Sequence, residues 1–247
     1  ITRLVAPDGE NRLEVEVEWV GYPVPNFRSP TYISSAGWDW MPYAPGLLSG
    51  ITDDVYLSLS GDVRLVEPWV RTKVPDREHA KVERRTIRLT EREVPGLAVE
   101  HPQLWWPNGM GDPALYTCRL VFETDGRQSD ARTVTFGIRE YGYEWHDGIF
   151  RLKINGEPVY VKGGNWGMSE WLLRCRGEEY DTRVALHRHM HFNMIRNWIG
   201  STTDEEFYDA CDRHGIMIWD DFWLNSHPNL PHDLGAFQQN AVEKIKR

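Results

Sequence analysis

"NMIRNWIGSTTDEEFYDACDRHGIMIWDDFWLN", residues 193–225, decides the fold. Two short apolar runs in it end in polar and aromatic residues: Arg196-Asn197-Trp198 after the first, Asp220-Asp221-Phe222 after the second. Between them, "TDEEFYDACDRHG" carries the punctuation of a helix. Thr203 with Glu206 reads as a capping box, and Phe207 and Cys211, four apart, mark one apolar face. His214-Gly215 supplies positive charge and a glycine at the C-terminal end. Strand, helix and strand joined by short links predict a parallel α/β unit.

The same grammar extends in both directions. Upstream, "FRLKINGEPVYVKGGN" (150–165) predicts a hairpin on Asn155-Gly156 whose second arm runs on into a buried strand. That strand ends in Gly164-Asn165-Trp166. "EEYDTRVALHRHMHF" (178–192) predicts a helix capped by Asp181 or Thr182. Its His187, His189 and His191 alternate by two, which spreads them over different faces and predicts a solvated helix surface, not a metal site. Downstream, "DLGAFQQNAVEKIKR" (233–247) predicts a helix with Leu234, Phe237, Ala241 and Ile245 on one side.

Three strand–helix units fit either a doubly wound sheet or a barrel. The dinucleotide-binding doubly wound fold needs G-x-G-x-x-G after its first strand, and "KGGNWGMSEW" lacks that spacing and sets a Trp where a pyrophosphate would approach. The barrel is therefore the preferred reading. Closing one takes eight strands and about 250 residues, so residues 141–247 are read as its N-terminal part, with an open edge.

The first 140 residues read as strands and turns. "NRLEVEVEWV" places Leu13, Val15, Val17 and Trp19 on one face. "DDVYLSLSGDVRLVEPWV" holds two alternating runs about Ser60-Gly61-Asp62. "PALYTCRLVFE" and "ARTVTFGIREYGYEW" alternate likewise. The expected organisation is a multidomain β plus α/β chain: a first β-sandwich over 1–69, a second over 70–140, and the partial barrel over 141–247. The second is short for a sandwich of roughly 100 residues.

Composition excludes several function classes. A net charge of −9 gives no basic surface for a nucleic-acid backbone. No apolar run is long enough to span a membrane, and the start shows neither the basic head nor the apolar stretch of a secretory leader. Three widely spaced cysteines, Cys118, Cys175 and Cys211, make neither a disulfide framework nor a zinc site and read as buried thiols. No cofactor or metal motif is present. Twelve Trp is a high count, and a flat indole can stack on sugar rings.

Polar residues at the C-terminal ends of barrel strands point into the site. The candidates for substrate binding are therefore Asn165, Trp166, Arg196, Asn197, Trp198, Asp220 and Asp221. Arg196 could equally pair with Asp220 or Asp221 to hold the barrel mouth. The two aspartates are strand neighbours with side chains on opposite faces, so they cannot flank one bond as a glycosidase pair does. No G-x-S-x-G elbow supports a serine hydrolase.

These stretches carry a family resemblance. "NGEPVYVKGGNW", "NMIRNW", "EEFYDACDRHGIMIWDDFW" and, earlier, "GWDWMPYAPGLLSGI" together resemble glycoside hydrolase family two, in the branch of β-mannosidases and exo-β-D-glucosaminidases. The resemblance covers nearly the whole chain in order. It implies a jelly-roll sugar-binding domain, an immunoglobulin-like domain and a catalytic TIM barrel. It also implies that the "GWDW" loop, with Asp39 and Trp40, reaches the barrel mouth, where Asp39 contacts the sugar before the cleaved bond and Trp198 lines the same subsite. One departure stands out: β-mannosidases carry Arg-x-Trp and then three glycines, whereas Ile199 and Ser201 replace two of those three here.

The resemblance further implies a retaining mechanism with two Glu residues, an acid/base in an Asn-Glu pair ending the fourth barrel strand and a nucleophile from a later strand. Neither is found before Arg247, so no catalytic residue is assigned and the 247-residue chain alone is expected to be inactive. The expected partner is a β-linked oligosaccharide or glycoconjugate, with no nucleic acid and no membrane, in an extracytoplasmic setting. The alternative is a non-catalytic carbohydrate-binding β-sandwich protein with a degenerate α/β tail.

Overall fold

The structure, a computed structural model, describes residues 5–6, 8–16, 51, 54–66, 68–83, 97–167, 175–200, 202, 204–222 and 235–245. Its first sheet is antiparallel, with β1 (Arg71–Asp76), β2 (His79–Glu83) and β3 (Leu97–Glu100) in that order. A long hairpin follows, β4 (Tyr116–Thr124) on β5 (Arg127–Phe136). Next come β6 (Tyr141–His146), β7 (Ile149–Ile154) and β8 (Glu157–Val159), an antiparallel meander. The expected turn at Asn155-Gly156 forms, with both residues at positive φ (51° and 84°). This is the pairing that matches a tight hairpin to the strand twist.

From residue 163 the chain becomes parallel. β9 (Gly163–Trp166), β10 (Met194–Asn197) and β11 (Met217–Asp220) lie side by side with β10 in the middle. α1 (Glu178–His189) links β9 to β10, α2 (Glu205–His214) links β10 to β11, and α3 (Gly235–Ile245) comes last. The three strand–helix units predicted from sequence are present. The link between β9 and β10 is close at its base. A Cβ on Gly163 would run into the carbonyl oxygen of Met194, so a side chain there would force the strands apart.

α1 and α2 cover one face of this sheet. Trp166, Tyr180, Val184, Ile195, Phe207, Ala210, Cys211 and Ile216 form a sealed core, in which Phe207 stacks on Trp166 at 5.2 Å. Cys175 and Cys211 are buried here as free thiols, and Cys118 is free and half-buried on β4. Burial pushes the Cys175 thiol up to about 11.

Several local expectations need correction. α1 is not capped by Asp181 or Thr182: it starts at Glu178 behind Gly177, and Asp181 lies within its first turn. There its carboxylate accepts from Arg213 (2.9 Å) and from the His214 imidazole (3.0 Å), which ties α1 to the end of α2. α2 is preceded by Asp204 as its extended N-cap residue without a side-chain cap bond. The Asp204 carboxylate instead accepts from the buried Tyr180 hydroxyl at 2.6 Å. Thr203, the expected cap, is outside the described residues. His214-Gly215 does end α2, with Gly215 left-handed at φ 70°. His187 is not a solvated surface residue: it is half-buried, its ring 5.6 Å from that of Trp166 and its Nδ1 donating to the Arg183 carbonyl.

Residues 11–16 and 54–60 lie outside any strand, with Leu13, Val15, Leu57 and Leu59 exposed. Alternation marks a potential inner face, but a face is buried only where a second layer covers it. The expected turn at Ser60-Gly61-Asp62 is a bend, and the chain there is fastened to β5 by one backbone bond and by side chains instead of a ladder. Gly61 N–H donates to the Ser129 carbonyl, Val63 N–H to Ser129 Oγ, and Leu65 N–H to Asp130 Oδ2 at 2.7 Å.

The antiparallel part of the chain and the parallel unit share a core. Trp105, Ile154 and Met217 pack together, and the Trp105 indole donates to the Asp212 carbonyl at the end of α2. The Asn108 amide donates to the Arg188 and Phe192 carbonyls at the end of α1. Arg139 pairs with Asp212 (3.1 Å) while lying 4.6 Å over the Trp105 ring. The "LWWPNG" stretch (104–109) thus holds the helix C-termini, at the end of the unit opposite the C-terminal ends of the parallel strands.

Candidate functional site

Strand pairing sets one row of side chains across the parallel sheet: Asn165 opposite Arg196, and Arg196 opposite Trp219. Side chains alternate between faces along a strand, so this row lies on the face away from Ile195 and the helices. Asp221, two residues beyond Trp219, faces the same way. Here the Arg196 guanidinium forks onto the Asp221 carboxylate, Nε to Oδ1 at 3.2 Å and Nη2 to Oδ2 at 2.6 Å, and Nη1 reaches Asn165 Oδ1 at 3.4 Å. A two-point fork of this kind fixes both planes. The sequence left open which aspartate Arg196 takes. It is Asp221.

A cleft of about 560 Å³ opens on this face, with Val161, Met194 and Trp219 as apolar walls and Asn165, Arg196 and Asp221 as polar groups. An apolar surface with a few placed polar groups is the usual make-up of a small-molecule site.

The other predicted residues sit elsewhere. Trp166, Asn197 and Asp220 face the helices and join one buried polar network. Asn197 donates to the Thr202 carbonyl (2.7 Å) and to Asp220 Oδ1 (2.8 Å), and accepts from Thr202 N–H. Trp166 Nε1 donates to Thr202 Oγ1, and the Tyr208 hydroxyl donates to Asp220 Oδ2. Asn197 and Thr202 are essentially inaccessible to solvent. Trp198 is half-buried and opens the 3-10 turn Trp198–Gly200 just past β10. Asp39 and Trp40 lie outside the described residues.

Trp219 was not among the sequence candidates, although it is 57 % exposed and lies in the cleft. The usable signal is parity: a residue two before Asp221 on a strand shares its face. Among the described residues, no group of three or more His, Cys, Asp or Glu converges to hold a metal ion.

Comparisons with known proteins agree with this architecture. Residues 60–139 match the family described as Glycosyl hydrolases family 2. The mannosylglycoprotein endo-β-mannosidase of Lilium longiflorum is 28% identical over the whole of this chain and 33% of its own length. A β-mannosidase B of Aspergillus terreus is 27% identical over the whole chain and 36% of its own. The chain thus spans about a third of the length of the curated relatives it matches. The lily alignment runs over 316 positions against 247 residues here, so at least 69 of its positions have no counterpart in this chain. Among solved structures, the exo-chitosanase of Amycolatopsis orientalis superimposes with a TM-score of 0.54 at 22% identity, over 65% of this chain and 23% of that one.

The class defined is a β-sandwich region leading into the parallel strand–helix unit of a barrel. Residues 60–139 thus carry the match to glycosyl hydrolases family 2, and the chain along its whole length is similar to β-mannosidases. No described helix is long and apolar enough to cross a membrane, which says nothing of a β-barrel.

Proposed function

We propose that this chain is the sugar-holding part of a retaining glycoside hydrolase that cleaves terminal β-mannosidic or β-glucosaminidic bonds of an oligosaccharide or glycoconjugate in an extracytoplasmic setting. The observation that carries the reading is alignment over the full chain with two β-mannosidase relatives. In this reading residues 1–69 belong to a jelly-roll domain, 70–140 to an immunoglobulin-like domain and 141–247 to the catalytic barrel.

Asn165, Arg196 and Asp221 contact the sugar directly, and Asp39, Trp40 and Trp198 complete the subsite. Arg196 holds Asp221 in one orientation, so that a sugar hydroxyl meets a carboxylate already fixed in place. Trp166, Asn197 and Asp220 act behind them, tying together the strand ends from which those groups project. In a retaining enzyme one carboxyl group protonates the leaving oxygen and a second, about 5 Å away, attacks the anomeric carbon. Neither role is assigned to a residue of this chain.

The test is hydrolysis of 4-nitrophenyl β-mannoside and 4-nitrophenyl β-glucosaminide by the natural polypeptide that carries these residues. Turnover of one of them with retained β-configuration in the first-formed product is the expected result. Binding of β-linked oligosaccharides with no turnover of either glycoside would leave a carbohydrate-binding protein in its place.

A further inference from the structure

We infer that Tyr208 is a positioning residue of the site: acting through Asp220, its hydroxyl sets the direction in which the neighbouring Asp221 carboxylate meets the sugar. The inference rests on the glycosidase reading and adds to it a residue of the helix layer that touches no sugar itself.

Asp221 lies one residue beyond β11, whose last registered pair on β10 is Asn197 with Asp220. Its own backbone N–H reaches the Asn197 carbonyl at 3.4 Å, a long bond. Asp220 is held more closely. Its carboxylate accepts from two elements at 2.8 Å each, Oδ1 from the Asn197 amide of β10 and Oδ2 from the Tyr208 hydroxyl of α2. A carboxylate gripped at both oxygens cannot turn, and the peptide that follows it is fixed with it. Successive side chains of an extended chain point to opposite faces, so the setting of Asp220 on the helix side dictates that of Asp221 on the cleft side. The Arg196 fork then closes on a carboxylate already aimed at it.

Of the two grips, Asn197 belongs to the sheet itself, whereas Tyr208 brings in a second layer. Its ring packs on the sealed core and meets the Phe207 ring edge-on at 5.4 Å. α2 is in turn pinned near its C-terminus by Trp105 and Arg139. The hydroxyl therefore stands at a point set by the helix and not by β11. It also has a second acceptor within reach, the Thr202 carbonyl at 3.5 Å, and it takes the Asp220 carboxylate at 2.8 Å instead.

The test uses the natural polypeptide as wild type, Tyr208→Phe, Asp221→Asn and the double variant, assayed with 4-nitrophenyl β-mannoside and 4-nitrophenyl β-glucosaminide. Affinity for the two methyl β-glycosides, read by ligand-observed NMR titration on the same samples, gives the comparison independently of turnover. Tyr208→Phe removes one oxygen and keeps the ring in the core. It should lower kcat/KM roughly tenfold, while the melting temperature falls by no more than about 4 °C. In the Asp221→Asn background the same substitution should change kcat/KM or affinity by less than about twofold, because no carboxylate is left to aim. A hydroxyl that served stability alone would not produce that non-additivity. Unchanged kcat/KM and affinity in Tyr208→Phe overturn the positioning role and leave the glycosidase reading standing, as does a loss that repeats in full in the Asp221→Asn background. A wild type that turns over neither glycoside and binds neither methyl glycoside overturns both.

Discussion

The two faces of the β9–β10–β11 sheet use nearly the same residues for opposite ends. On the helix side, Trp166, Asn197 and Asp220 are locked into a network with Thr202 and Tyr208 above a sealed apolar core. On the cleft side, their immediate chain neighbours Asn165, Arg196 and Asp221 form a fork that lines a cleft among the described residues. One step along a strand separates an asparagine locked into the helix-side network from an arginine that lines the cleft. A polar residue at a strand end is therefore assigned by parity, and its chemical type decides nothing alone.

Asn197→Ala tests the comparison most severely. It removes three hydrogen bonds in a place closed to water, deprives the Thr202 N–H of its partner and leaves the Thr202 carbonyl only the long 3.5 Å bond from the Tyr208 hydroxyl. The expected loss is about 2–3 kcal/mol, or roughly 5–10 °C in melting temperature. Thermal unfolding followed by circular dichroism measures it. A shift under about 2 °C would mean that water reaches the helix side and that the two faces are less different than described.

The outer surface of the helix layer should respond to pH. The Arg213 guanidinium beside Asp181, helped by His214 and opposed by partial burial, holds the Asp181 carboxyl below its usual range. A carboxyl lowered on folding stabilises the fold above its unfolded value, near 3.9, and that contribution disappears as pH falls through the lower folded value. Since Asp181 and Arg213 are nearly half exposed, solvent screening limits it to about 0.5 kcal/mol. Asp181→Asn should thus melt slightly below wild type at pH 6, with the gap closing in the acid limb. A gap that widens as pH falls would reverse the assignment.

Much of this was legible in the sequence, for identifiable reasons. Residues 193–222 combine two apolar runs, an amphipathic helix and a closing His-Gly, and each signal is local. The parallel unit follows from them. Opposite faces for Asp220 and Asp221 follow from strand geometry, but which of them meets Arg196 needs the register of β10 on β11. The "LWWPNG" contacts could not be read, because the carbonyls that Trp105 and Asn108 hold lie 80 to 107 residues away. Asp204, the residue before α2, gives its carboxylate to Tyr180 for the same non-local reason instead of capping the helix with it. In the first seventy residues, alternation at Leu13 and Val15 says which face could be buried and nothing about what would cover it.

The smallest expected effect is the sharpest test. Arg196→Ala breaks a two-point ion pair, and contact geometry alone would rank it with Asn197→Ala. Its surroundings differ. The Arg196 side chain is 45% exposed at the edge of a cleft, so water can take over its role toward Asp221, whose side chain retains 16% exposure. Exposed pairs contribute about 0–1 kcal/mol, and the melting temperature should fall by no more than about 4 °C. The small difference should shrink further in 0.5 M salt, where charges on the cleft side are screened over roughly 4 Å. Sugar affinity should nevertheless drop, since Asp221 loses the partner that orients it. Measuring both on one sample separates stability from function. A melting loss as large as that of Asn197→Ala would make Arg196 a core residue and erase the distinction between the two faces.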